Sequence, residues 1–302
     1  MEQPLSRLEA MELDARIDQT AVDWASASEG AEAFRFAAPS GPLAAWSMGD
    51  AGCPRVVLVA GATGSKEDFL LLAPPLVAAG YYVQSYDLAG QYESACAGPS
   101  ESSGRWDYPL FLADMEAFVE AGDVPVHLLG YSFAGVLAQL VVASRPELVR
   151  TLTLLSTPPM TGQVFRGARF IGLPSRVVGY RGCASLMLWA IRRNVNGVTP
   201  NRYQFVMERL PKTVRASVDD IIDLMRHTPD VTGLVRGSGV PVLVATGDGD
   251  LWSQALHREF AGLLGARLAV YRTGHAPCET TPNQLAWDMI ELFGESEGVR
   301  SL

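Results

Sequence analysis

A chain of 302 residues with 48% hydrophobic and 19% charged side chains can bury a large core and is too apolar for disorder. Its net charge of -9 argues against general nucleic-acid binding. No stretch approaches the ~20 apolar residues of a membrane span, and no basic start with an apolar run opens the chain, so a cytoplasmic location is the default.

In chain order, Leu5, Leu8, Met11, Leu13, Ile17, Val22 and Trp24 make a loosely amphipathic pattern that predicts one or two helices in an arm over residues 1–30. Packing on a sheet edge, lying across a functional site and mediating a homodimer are all open to this arm. Residues 34–38 and 43–48, split by Pro39, Ser40, Gly41 and Pro42, read as an antiparallel hairpin. The β-branched run 55–60 reads as a buried strand leading into Gly61, Ala62, Thr63, Gly64 and Ser65. A helix over 69–79, a strand over 82–86, a surface loop rich in Ser, Gly and Pro over 96–104 and a helix over 109–121 follow.

The stretch VHLLGYSFAG then joins a buried strand to a helix, with Ser132 on the turn between them. Such a turn projects the serine away from the sheet and demands small residues at Gly130 and Ala134. A helix N-cap serine is the plainer alternative. Residues 151–155 form the sixth strand. About 80 residues of helical pattern separate it from the strand over 240–246. That strand delivers Asp248 and Asp250 into a loop. The last strand, 267–271, is followed by Thr273, Gly274 and His275, and a helix over 283–293 closes the pattern. His127 falls in a strand and His227 and His257 in helices, where packing or surface roles suffice. Cys53, Cys96, Cys183 and Cys278 lack C-x-x-C spacing and read as free thiols; Cys278, close to His275 in sequence, also invites a functional reading.

Ser132 in G-x-S-x-A, Gly61 after the third strand, Gly247 with Asp250 in G-x-x-D, and Gly274 with His275 resemble, in order, the motifs of the α/β-hydrolase family. The likeness spans about residues 34–293. It implies a mostly parallel eight-stranded sheet flanked by helices, with a helical cap inserted after the sixth strand. The core would comprise 31–156 and 237–302, and the cap 157–236. By the same resemblance Ser132 is the nucleophile, His275 the general base and acid, and Asp250 the acid that orients it, with Asp248 the alternative. The backbone N–H groups of Ala62 and Phe133 form the oxyanion hole. Thr63, Trp189, Leu251 and Trp252 are pocket candidates. Ala60 stands where the family often has histidine before the oxyanion glycine, so that loop's side-chain support must come from elsewhere. In DLAGQYES, Asp87, Gly90 and Ser94 match D-x-R-G-x-G-x-S without its arginine.

The implied activity is hydrolysis of a carboxylic ester, thioester or lactone, with no metal or organic cofactor. Serine at the nucleophile position argues against the dehalogenase and epoxide-hydrolase branches, which use aspartate. The alternatives are a thioesterase acting on an acyl carrier or coenzyme A conjugate, and a non-catalytic ligand-binding member of the fold. Residues 157–215 hold ten basic side chains and one acidic. Either these arginines pair with the acidic core, or some of them attract an anionic or carrier-bound acyl substrate.

Overall fold

The computed structural model describes residues 6–26, 30–100, 104–168, 179–195 and 197–298. Its centre is an eight-stranded sheet: β1 (Ala31–Ala38), β2 (Gly41–Met48), β3 (Arg55–Val59), β4 (Tyr82–Tyr86), β5 (Val126–Tyr131), β6 (Val149–Leu155), β7 (Val242–Gly247) and β8 (Arg267–Tyr271). The spatial order is β1-β2-β4-β3-β5-β6-β7-β8. The hairpin β1-β2 adds to β4 antiparallel, and every other neighbour pair is parallel.

Apolar runs without alternation become central strands because helices cover both faces. Val57, Val59, Leu128, Leu152, Leu154 and Val244 face one core, while Val56, Leu58, Leu129, Leu243 and Ala245 face the other. That split follows the two-residue period of a strand. Helices α3 (Tyr108–Glu120) and α4 (Phe133–Ser144) contribute Phe111, Met115, Leu137 and Val141 to the first core. The second takes Leu76 from α2 (Ala73–Ala78) and Leu285, Met289 and Leu292 from the last helix, Pro282–Glu297. The helix expected over 69–79 is a 3-10 turn, Lys66–Phe69, followed by the short α2, which carries Pro74 and Pro75 in its first turn.

The arm contains one helix, α1 (Arg7–Arg16), which packs on the last helix of the chain. Between β6 and β7 lie α5 (Tyr180–Arg192), α6 (Pro200–Arg209), α7 (Arg215–Met225) and α8 (Thr232–Gly237). Helices α5 and α7 pack together, whereas α8 packs on α4 and α9 (Gln254–Leu264). The chain ends with α10 (Pro277–Thr280) and α11 (Pro282–Glu297). Among the described residues no helix is long and apolar enough to cross a membrane. Connections from β3 and β5 leave in opposite directions along the sheet, so a crevice opens between their C-terminal ends, where such sheets bind ligands.

Candidate active site

Ser132 stands at that crevice. The chain leaves β5 at Tyr131, turns at Ser132 with φ 53 and ψ -117, and enters α4 at Phe133. A non-glycine residue held there costs about 1–3 kcal/mol and persists only where its surroundings impose it. A Cβ on Gly130 would lie 2.4 Å from the Ala134 carbonyl oxygen, so the tight return of α4 requires glycine at that position. The Ser132 N–H donates to the Leu155 carbonyl at 2.8 Å. Although Ser132 occupies the N-cap position of α4, its hydroxyl accepts no capping hydrogen bond, which removes the cap-serine alternative. The first N–H groups of a helix have no partner within it, and Phe133 supplies one of these beside the serine.

The loop after β3 lies directly against this turn. A Cβ on Gly61 would be 2.9 Å from Ser132 Cβ and 3.3 Å from the Phe133 nitrogen, so only glycine permits the approach. Ala62 follows, half-buried, and Thr63 adopts φ 60 with its N–H donated to Gln91 Oε1 at 3.0 Å.

The loops after β7 and β8 run side by side. Asp248 N–H donates to the Tyr271 carbonyl and Gly249 N–H to the Thr273 carbonyl, which draws Asp250 towards His275. Asp248 is exposed, whereas Asp250 is 1% exposed and accepts from His275 Nδ1 at 2.5 Å. Neither aspartate caps α9; Ser253 does, accepting from Leu256 N–H. The same Asp250 oxygen accepts from Leu251 N–H at 2.6 Å. Its other oxygen accepts from the Thr246 hydroxyl and from His257 Nε2, both at 2.9 Å. Burial alone would raise the Asp250 pKa. The His275 charge and hydrogen bonds from His257 and His275 outweigh it and hold the carboxyl well below the usual range. An ionised carboxylate only accepts, so His275 carries its proton on Nδ1 and leaves Nε2 free to act as a base. The His275 ring lies 5.4 Å from that of Tyr131 and 6.0 Å from that of Trp252, centroid to centroid. Among the described residues the Ser132 hydroxyl makes no hydrogen bond to His275; such contacts often tighten only with substrate bound.

His257 is the residue that sequence reasoning missed, since packing or surface roles were expected for it. It is 1% exposed, and its Nδ1 has no hydrogen-bond partner among the described residues. Spacing carried the signal: His257 shares the buried face of α9 with Phe260, Ala261 and Leu264, and a buried imidazole needs a polar partner.

The remaining candidates divide. Trp252 is 1% exposed beside His275, with its indole N–H donated to the Val164 carbonyl, and Leu251 binds Asp250 through its backbone. Trp189 is 53% exposed on α5. Cys278 is fully buried and burial pushes its thiol pKa well up, which argues against a nucleophilic role. Of the basic residues over 157–215, Arg202 and Arg209 are buried and paired with the core. Arg202 meets Asp68 and Glu279, both at 2.6 Å, and Arg209 meets Asp68 at 2.6 Å. Arg166, Arg181, Arg192, Arg193, Lys212 and Arg215 are exposed, while Arg169, Phe170 and Arg176 lie outside the described residues.

Residues 56–288 match the family model described as the alpha/beta hydrolase family. No curated protein matches the chain. Among solved structures it resembles an epoxide hydrolase from Vigna radiata (TM-score 0.70, 15% identity, 89% of this chain and 100% of that one). It also resembles a carboxylesterase from Nitrososphaera gargenis (TM-score 0.67, 17% identity, 88% and 99%). A thioesterase domain from the curacin biosynthetic pathway is a third such structure (TM-score 0.64, 19% identity, 86% and 99%). At these identities the likeness concerns the fold. The matched family model covers most of the chain, from β3 to the last helix, and on that ground the chain belongs to the alpha/beta hydrolase family.

Proposed function

We propose that the protein is a serine hydrolase that transfers an acyl group from a carboxylic ester or thioester to water through Ser132. The observation that carries this reading is the buried Asp250 carboxylate bound to His275 Nδ1, with Ser132 held on a strained turn at the same end of the sheet. A serine hydroxyl is a weak nucleophile at neutral pH and needs a base whose tautomer is fixed. His275 Nε2 takes the Ser132 proton as Oγ attacks the carbonyl carbon. The N–H groups of Ala62 and Phe133 receive the oxyanion, each worth about 3–4 kcal/mol to the transition state. His275 returns the proton to the leaving oxygen or sulfur, and the acyl group stays on Ser132. Water activated by the same imidazole then releases the acid.

In this reading α5, α6 and α7 form a cap over the crevice. Their basic charge serves first to dock them, because Arg202 and Arg209 are spent on Asp68 and Glu279 rather than left for an anionic substrate.

A fluorophosphonate probe is expected to label the wild-type chain, and Ser132→Ala to abolish the labelling and lower kcat/KM on short nitrophenyl esters at least about a thousandfold. A folded wild type that resists the probe, or an alanine variant that retains turnover, would overturn the reading.

A further inference from the structure

Gln91 is fully buried in the loop after β4, within the DLAGQYES stretch, and no step of the acyl transfer above uses it. Its amide oxygen accepts the Thr63 N–H at 3.0 Å, and its amide nitrogen donates to Ser217 Oγ on α7 at 2.7 Å. Ser217, also fully buried, donates its hydroxyl to the Ala89 carbonyl at 3.2 Å. The backbone extends this seam: Val214 N–H donates to the Gly90 carbonyl at 2.8 Å, and Tyr92 N–H to Thr213 Oγ1 at 3.1 Å.

We propose that Gln91 is a positioning residue that holds the oxyanion loop in its working shape and ties that shape to the docking of α7. This inference rests on the acyl-transfer reading of Ser132. Ala62 lies between two fixed peptides. On one side Gly61 is wedged against Tyr131 and Ser132; on the other, Gln91 holds the Thr63 N–H. With both neighbours fixed, Ala62 cannot rotate its own N–H away from the crevice. Thr63 sits at φ 60, a conformation that a β-branched residue keeps only under constraint, and the Gln91 hydrogen bond supplies part of it. Ala60, at 1% exposure, offers no polar group to the loop, so a glutamine from the next strand's loop does the supporting. Because the same amide reaches Ser217, an undocked α7 would free the Gln91 side chain and loosen Thr63.

The test compares Gln91→Met, which keeps length and removes both hydrogen bonds, with Ser217→Ala, which leaves the Thr63 hydrogen bond and removes the hydroxyl that meets Gln91 and the Ala89 carbonyl. Hydrolysis of nitrophenyl butyrate and the rate of fluorophosphonate labelling are read beside thermal unfolding. Gln91→Met is expected to lower kcat about 10- to 100-fold and slow labelling in parallel, with KM within about twofold, since the oxyanion forms only in the transition state. Ser217→Ala, which leaves Thr63 its partner but frees the other end of the Gln91 amide, is expected to lower kcat by a smaller factor, about 3- to 10-fold. Should the methionine variant fail to fold, Gln91→Asn, one methylene too short to span Thr63 and Ser217, takes its place with the same expected loss. A folded variant with unchanged kcat, or with KM alone altered, overturns the proposal. That outcome in a parent labelled at Ser132 leaves the serine-hydrolase reading intact, whereas an unlabelled parent means that the reading itself has failed.

Discussion

The Asp250 carboxylate accepts four hydrogen bonds, only one of them from the histidine proposed as base. Ser132, Asp250 and His275 were legible because each follows a buried strand within a short glycine-marked motif. His257 was not, because a helix position declares its face and not its partner. His257 Nε2 holds the Asp250 oxygen opposite the one that His275 meets, so removing it should loosen the carboxylate that orients His275. His257→Phe is therefore expected to lower kcat about 10-fold with KM within about twofold. His257→Gln, which keeps a donor at a similar reach, should leave kcat within about threefold of wild type. The phenylalanine variant also leaves a buried acceptor short of a partner, at a cost of about 1–3 kcal/mol. The sign for stability follows from the depressed Asp250 pKa. Its contribution is full above the unfolded carboxyl range and disappears as pH falls through the lower folded value, so the variant's deficit is largest near neutrality and narrows in acid. A kcat that does not move in His257→Phe would mean that His257 only fills space.

Helix α6 illustrates what a charge count conceals. Its basic residues read equally as an attractant for an anionic substrate or as partners for the core, and spacing alone could not choose. Arg202, Phe205 and Arg209 share one buried face, and both guanidinium groups close on Asp68. Asp68 also accepts the Ser65 N–H at the end of the oxyanion loop, so this helix braces the loop at a second point. The Asp68 pKa is lowered: burial works against ionisation, but Arg209 and Arg202 outweigh it. That of Glu279 is raised by burial in spite of Arg202. A buried pair is weak evidence of net stability, yet removing one partner strands the others. Arg202→Met is expected to lower unfolding free energy in urea by about 3–5 kcal/mol at pH 8. With the arginine gone, the folded Glu279 carboxyl should take up a proton at higher pH than before. A raised carboxyl pKa adds stability that is full in acid and lost as pH rises, so the deficit should shrink towards pH 5. Adding Glu279→Gln should recover part of the loss at pH 8, and an additive or larger loss in the double variant would contradict the picture.

Arm, α6 and core meet at a single place, and no local pattern announced it. The sheet order was legible because strands buried on both faces read as apolar runs, but the approach of Trp24 to Arg202 spans most of the chain. Asp14 accepts the backbone N–H groups of Asn283 and Gln284, at 2.8 and 3.1 Å, and so caps α11, whose own N-cap residue Thr281 makes no capping side-chain hydrogen bond. Gln19 donates to the Glu279 carbonyl at 2.7 Å, Asn201 on α6 donates to the Gln19 and Val22 carbonyls, and the Arg202 guanidinium lies 4.5 Å over the Trp24 ring. The arm therefore covers the ionic cluster that docks α6 and lies on the surface joining α6 to α11. Loss of the arm would remove a helix cap worth about 1 kcal/mol and a desolvated cation–π contact worth about 2 kcal/mol, and would admit water to buried charges. A chain lacking residues 1–26 is expected to keep its sheet, because no strand lies among the described residues of that segment. It should expose the helices between β6 and β7 to local opening, which proteolysis reads out as the population of the open form. Trypsin should then cut first within residues 181–215, at the arginines of α5 and α6, several-fold faster than in the full chain, while the part carrying the sheet stays protected. Equal cleavage rates in the two chains, or first cuts within the sheet, would show that the arm does not hold these helices down.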